Sequence, residues 1–149
     1  MSEIIRYIQK HELRELLDLY KYLNKDDPDL VEDAELKKLW QEILEDPSQH
    51  YLVVEVDGKL VSTCVMIIIK NLTRSASPYA IIESVVTHPD YRKRGIGTRL
   101  LKRAQEIARE KGCYKIMLLT GRKEAIPFYE NAGFECKSKT GFIIRFDGR

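Results

Sequence analysis

The chain has 149 residues, 44% of them hydrophobic and 32% charged, which is the length of one domain with enough apolar material for a sizeable core. Its 25 basic and 23 acidic residues leave a formal charge of +2, so no global field points to nucleic acid or to an anionic membrane. The longest near-continuous apolar run, CVMIII at 64 to 69, falls far short of the ~20 residues of a membrane helix, and the charged opening MSEIIRYIQKHELREL lacks the apolar core of a signal peptide.

In chain order, IIRYI (4 to 8) is short and β-branched and predicts a strand, after which Leu13, Leu16, Leu17, Tyr20 and Leu23 fall at helical spacing. NKDDPD (24 to 29) is turn chemistry, and Leu36, Leu39, Trp40, Ile43 and Leu44 then form a second helical stripe ending before Pro47. This helix pair is expected to lie as a flap over a sheet. YLVVEVDGKLVSTCVMIII (51 to 69) sets Asp57-Gly58 between two β-rich runs, a strong hairpin signal. KNLTRSASPY (70 to 79) reads as a loop. AIIESVVTH (80 to 88) is apolar on both faces except at Glu83 and Ser84, as suits a central strand covered on each side.

A helix follows over 96 to 111, with Leu100, Leu101, Ala104, Ile107 and Ala108 on one face and Gly112 as its stop. YKIMLL (114 to 119) predicts another buried strand, and KEAIPFYENAG a short helix that tolerates Pro127 in its first turn. FECKS and GFIIRFD are expected to close the chain as a hairpin. The order β-α-α-β-β-β-α-β-α-β-β describes one α+β domain, residues 1–149, with a mixed central sheet flanked by helices. Three cysteines, Cys64, Cys113 and Cys136, form no C-x-x-C pair and lie in apolar stretches. They predict buried thiols and a reducing, cytoplasmic compartment.

HPDYRKRGIGTRLL (88 to 101) sets two glycines and four cations, Arg92, Lys93, Arg94 and Arg99, at a helix entrance. A strand feeding a glycine-rich turn and a helix N-terminus presents unpaired backbone N–H groups at the positive end of a dipole, which fits an anion. An ordinary tight turn with solvated basic residues fits the same string. Spacing excludes two other phosphate motifs: no G-x-x-x-x-G-K-[ST] occurs, and a dinucleotide fingerprint needs a third glycine where Leu100 stands.

VVTHPDYRKRGIGTRLL resembles motif A of the GNAT superfamily of acyl-CoA-dependent N-acetyltransferases, [QR]-x-x-G-x-[GA], with Arg92, Gly95 and Gly97 at its fixed positions. AIPFYENAGF (125 to 134) resembles motif B, with Tyr129 at the tyrosine position. The resemblance implies acetyl-CoA as cosubstrate and no metal. It further implies that the CoA pyrophosphate lies on the backbone of Arg94, Gly95, Ile96, Gly97 and Thr98, neutralised by Arg92 and Arg94, with the pantetheine arm beside Val85, Val86 and Thr87. Lys93 and Arg99 are expected to be solvated. Many members carry an Asn a few residues before the tyrosine to hold the pantetheine arm; Arg122 or Glu124 stands near that place, and no residue is assigned to that contact. GCYKIMLL resembles the strand of glucosamine-phosphate acetyltransferases, but Leu119-Thr120 replaces the aspartate at its end, so an amino-sugar phosphate is not favoured.

Amide formation from a thioester needs a neutral amine, a donor for the developing oxyanion and a proton for the departing thiolate. The resemblance implies the Val86 N–H for the oxyanion and Tyr129 for the proton; in sequence terms alone, Tyr129 is equally an amphipathic core residue. Glu83, the one carboxylate of its strand, is a candidate base acting through water, or else a structural ion pair or anchor for the substrate ammonium. His88 is a less favoured base. The leading expectation is an N-acetyltransferase acting by direct attack of a primary amine, with the first two helices and the 70 to 79 loop lining the acceptor side. The alternative is a silent acyl-CoA sensor. A nucleic-acid binder is disfavoured because no aromatic platform accompanies the basic block. A homodimer meeting through the C-terminal strands is common among relatives.

Overall fold

In this computed structural model, which describes residues 2–149, the strand-forming runs become β1 (Glu3–Tyr7), β2 (Gln49–Val56), β3 (Lys59–Ile69), β4 (Tyr79–Thr87) and β5 (Ile116–Met117). Met1, with which the expected domain begins, lies outside the described residues. The helices are α1 (Leu13–Tyr20), α2 (Ala34–Glu45), α3 (Thr73–Ala76), α4 (Ile96–Glu110) and α5 (Ile126–Asn131). The strands form one mixed sheet in sequence order. β1 to β4 run antiparallel, and β5 joins β4 in parallel after the α4 crossover. Asp57 and Gly58, at φ of 48° and 83°, make the turn between β2 and β3, where left-handed backbone matches the strand twist.

The near-continuous apolar run of β2 exists because both of its faces are covered. Leu52, Val54 and Val56 join Met66, Ile82 and the α4 residues Ile96, Leu100, Leu101, Ala104 and Ile107 in one cluster. Val53 joins Leu60, Val86, the α1 residues Leu13, Leu16 and Leu19, and Trp40 of α2 in the other. The first two helices thus cover one face and α4 the other. Each fully buried Leu or Ile contributes on the order of 2 kcal/mol relative to exposure. The indole of Trp40 donates to the Lys10 carbonyl at 2.9 Å, which ties α2 to the chain leading into α1.

One ionic knot joins β1, β2 and the turn that leads into α1. Arg6 donates to both carboxylate oxygens of Glu12, at 2.9 and 2.8 Å, and to Glu55 at 2.8 Å. Glu12 also accepts the Gln9 N–H at 2.8 Å and is 5% exposed.

The expected C-terminal hairpin is not formed: residues 135–149 carry no strand. Phe142, Ile144 and Phe146 are 91, 80 and 96% exposed, because no apolar face of this chain covers them and a two-stranded hairpin without packing is marginal. Cys136 lies in this segment and is exposed, against expectation; Cys64 is buried and Cys113 half-buried. The 70 to 79 loop contains α3, a single turn in which Arg74, Ser75 and Ala76 have φ of 53°, 59° and 58°. The Asn71 amide holds it by donating to the Thr73 and Ser77 carbonyls at 3.0 and 3.1 Å.

Candidate functional site

β4 is interrupted where the sequence reads ESVV. Its register against β3 pairs Val65 with Glu83 and Thr63 with Val86, so Ser84 and Val85 together oppose Cys64. This is a β-bulge, and Ser84 sits in left-handed backbone at φ 54°. The bulge shifts the alternation by one residue. Ala80 and Ile82 face the α4 cluster before it, Val85 packs on that cluster after it, and Val86 turns to the α1 side.

Pairing between β4 and β5 stops at Ile81 and Met117. Beyond that point the chains part, and Ile82 to Thr87 face Leu118 to Arg122 across a cleft of about 1110 Å³. The β4 edge in this gap has no strand partner, so it is open to a ligand that adds as a strand does.

One end of the cleft is built for negative charge. α4 opens there on Gly95, whose φ of 78° only glycine adopts without strain, and no side chain caps the first turn. Gly97 is required by space instead: a Cβ there would lie 3.0 Å from two Phe128 ring atoms and 3.4 Å from Thr87 Oγ1. The Arg92 Nε donates to the Thr87 carbonyl at 2.9 Å, leaving the rest of the guanidinium on the cleft. The Tyr91 ring carries the Arg94 guanidinium at 5.2 Å and the Lys59 ammonium at 5.8 Å. Ile96 and Thr98 line the same end.

Lys93 also lines the cleft, in left-handed backbone at φ 61°. Arg99 is exposed, as expected, and also makes two 2.7 Å hydrogen bonds to Glu3 and one of 3.1 Å to the Arg94 carbonyl. It fastens the turn to β1, and its guanidinium holds the Glu3 carboxyl below the usual carboxylate range.

The remaining lining includes Tyr22, Leu23, Asn24, Glu83, Leu119, Arg122, Glu124 and Tyr129, with Tyr22 against His88, whose ring in turn meets Tyr91. Tyr129 is set by its ring neighbours Phe128 and Phe134, at 4.9 and 6.2 Å. Burial raises its phenol above the ordinary range; the nearby Glu83 adds to the rise, and Arg122 opposes it. Cys64 is itself pushed up to about 12 by burial and stays a neutral thiol. Glu83 is exposed on the cleft wall, which answers how a carboxylate is accommodated on this strand: it is wet.

His88 is not among the lining residues. Its Nδ1 accepts the Asp90 N–H at 3.1 Å as cap of a short 3₁₀ turn, so the neutral ring carries its proton on Nε2, 3.4 Å from Tyr22 Oη. The 70 to 79 loop, expected on the acceptor side, contributes no lining residue. Sequence reading missed the bulge, the Tyr22 to Asn24 rim and the Leu118 to Gly121 wall. Ser84 in an apolar strand was the one signal for the first.

The profile of the Acetyltransferase (GNAT) family matches residues 11–134. Among solved structures, a protein assigned as an acetyltransferase from Agrobacterium tumefaciens str. C58 superposes with a TM-score of 0.90 at 41% identity, covering 96% of this chain and 99% of that one. A glucosamine 6-phosphate N-acetyltransferase of Trypanosoma brucei brucei is 38% identical over 82 residues, 55% of each chain. An uncharacterised N-acetyltransferase of Methanocaldococcus jannaschii is 32% identical over 150 residues, 89% of this chain and 61% of that one. The chain therefore spans between about half and two thirds of these two curated relatives. With the bulged β4, the gap beside β5 and the glycine entrance of α4 in place, the match over residues 11–134 leads to one conclusion: the chain belongs to the acetyltransferase (GNAT) family.

Proposed function

We propose that residues 1–149 form one N-acetyltransferase domain that moves the acetyl group of acetyl-CoA to a primary amine by direct attack. The observation that carries this reading is one continuous cleft, running from the uncapped N-terminus of α4 along the open edge of β4 to Tyr129. Acetyl-CoA supplies the activated acyl group as a thioester.

The chain's own residues do the rest. Backbone N–H groups from Arg94 to Thr98 hold the pyrophosphate, with Arg92 and Arg94 neutralising it. Val85, Val86 and Thr87 take the pantetheine arm as a neighbouring strand. Because Val86 pairs with Thr63 and its carbonyl accepts from Ser62 Oγ, its backbone groups turn to β3, and a neighbouring N–H on the open edge, in place of the expected Val86 N–H, meets the charge that grows on the thioester oxygen. Glu83 draws the proton from the amine through water, and Tyr129 gives one to the leaving sulfur. Three free thiols support a reducing cytoplasm as the compartment.

Acetyl-CoA should stabilise the fold, because a ligand that binds only the native state adds RT ln(1 + [L]/Kd), about 2.7 kcal/mol at a hundredfold excess over Kd. A thermal-shift titration reads this. A Tm that stays unmoved at millimolar acetyl-CoA refutes the reading.

Gly97→Val should force the Phe128 ring out of the cleft wall and weaken CoA at least about tenfold, ~1.4 kcal/mol, in a chain that still folds. Calorimetry that finds unchanged affinity would place the phosphates elsewhere.

The reading extends to a homodimer. The bare Phe142, Ile144 and Phe146 call for cover, and β5 pairs through one edge only. Sedimentation should give a dimer for the wild type and a monomer for Phe142→Ser/Phe146→Ser; a monomeric wild type overturns it.

A further inference from the structure

Two guanidinium groups line this cleft with the same attachment. Arg92 is anchored through Nε on the Thr87 carbonyl at 2.9 Å, and Arg122 through Nη2 on the Leu23 carbonyl at 3.2 Å. In each the anchor uses part of a five-donor fork, and among the described residues the remaining N–H groups have no partner. Glu83 and Glu124 line the cleft with Arg122, yet among the described residues Arg122 forms no ion pair. An arginine that bonds a neutral carbonyl with two carboxylates nearby keeps its charge for something else. At Arg92 that partner is the phosphate of the cosubstrate; at Arg122 the Leu23 bond ties the group to the α1 side of the sheet, whereas the pyrophosphate belongs to the entrance of α4, which covers the other face.

Arg122 is also held in place. Its own N–H donates to Thr120 Oγ1 at 3.2 Å, which folds the Leu119 to Arg122 wall into a turn, and the Leu23 bond spans the cleft from that wall to the end of α1. Glu83 stands on the β4 wall of the same cleft, so amine and anion are recognised by opposite charges on different elements.

We infer that Arg122 is a specificity-determining residue which selects a primary amine that also carries an anionic group, a carboxylate or a phosphate. This rests on the acetyltransferase reading above. Arg122 binds the anion, Glu83 receives the amine, and the acceptor is small enough to reach both within the cleft.

The test uses amines matched in all but the anion: an amino acid against its amide, and an amino-sugar phosphate against the free amino sugar, each with acetyl-CoA and the full chain. Wild type should favour the anionic member of at least one pair by about tenfold or more in kcat/KM, and the favoured pair tells carboxylate from phosphate. Arg122→Gln should erase that preference by raising KM for the anionic member, with KM for the neutral member and acetyl-CoA affinity unchanged, and Arg122→Lys should restore part of it. Calorimetry with acetyl-CoA separates two failures. No acetyl-CoA binding overturns the acetyltransferase reading itself. Intact binding with no charge preference in either pair, or an Arg122→Gln effect equal for both members, overturns the role of Arg122.

Discussion

Tyr129→Phe should lower kcat by ~10²–10⁴ while leaving CoA affinity nearly unchanged, the loss expected when a full general-acid contribution is removed. The substitution keeps the ring between Phe128 and Phe134 and deletes one oxygen. The sign of its pH dependence follows from the environment. Burial, first, and then Glu83 raise the phenol's pKa against the pull of Arg122, so the protonated acid persists at and beyond the ordinary tyrosine value of 10.0. The wild-type rate should therefore hold through neutral pH, with any alkaline fall due to this group lying above that value. Steady-state kinetics of both proteins across pH, with CoA affinity by calorimetry, checks this. If the Phe variant keeps more than about half of the wild-type kcat with chemistry rate-limiting, Tyr129 only fills space and water protonates the sulfur.

The largest stability effect should come from Arg6→Met, far from the cleft. Removing this guanidinium strands Glu12, 5% exposed, with only the Gln9 N–H, and an uncompensated buried carboxylate costs on the order of 3 kcal/mol. That is a fall of roughly 10 °C in Tm for a chain of this length. The Arg6 hydrogen bonds lower the Glu12 pKa from 4.5, outweighing burial. A lowered folded value means the pair stabilises fully above 4.5 and loses its effect as pH falls through the lower folded value. The gap between wild type and variant should accordingly be widest at neutral pH and shrink in acid. Urea denaturation at several pH values measures it; a gap under about 1 kcal/mol at neutral pH would make the knot an ordinary surface pair.

The parts of this fold that local chemistry dictates were legible in the sequence. Asp57-Gly58 demanded a hairpin, the stripe from Ile96 to Ala108 demanded a helix with one buried face, and β4, apolar on both faces except at Glu83 and Ser84, demanded cover on both sides. The glycine entrance was legible for the same reason, although the two glycines answer different needs: conformation at Gly95, space at Gly97.

What resisted reading depends on distant partners. The ion pair of Arg99 was hidden because Glu3 lies 96 residues away. GFIIRFD has a strand's composition, but a strand also needs a neighbour, and this chain gives it none. Ser84 is commonplace in strands, and its left-handed backbone is imposed by the register of β3 against β4. The acceptor rim at Tyr22 to Asn24 comes from where α1 ends over the sheet, which no short string encodes.

That same bulge bears on how the protein survives without its ligand. Between Ile82 and Thr87 the chain holds a length of β4 edge unmatched by β5, the kind of surface on which another polypeptide can template itself. A flat strand there would invite edge-to-edge aggregation. The kink at Ser84 breaks the regular spacing of that edge, and the wall from Leu118 to Arg122 stands across from it, so an intruding strand meets neither a straight ladder nor room to lie flat. The irregularity that opens the cleft to a narrow ligand also denies it to a second chain.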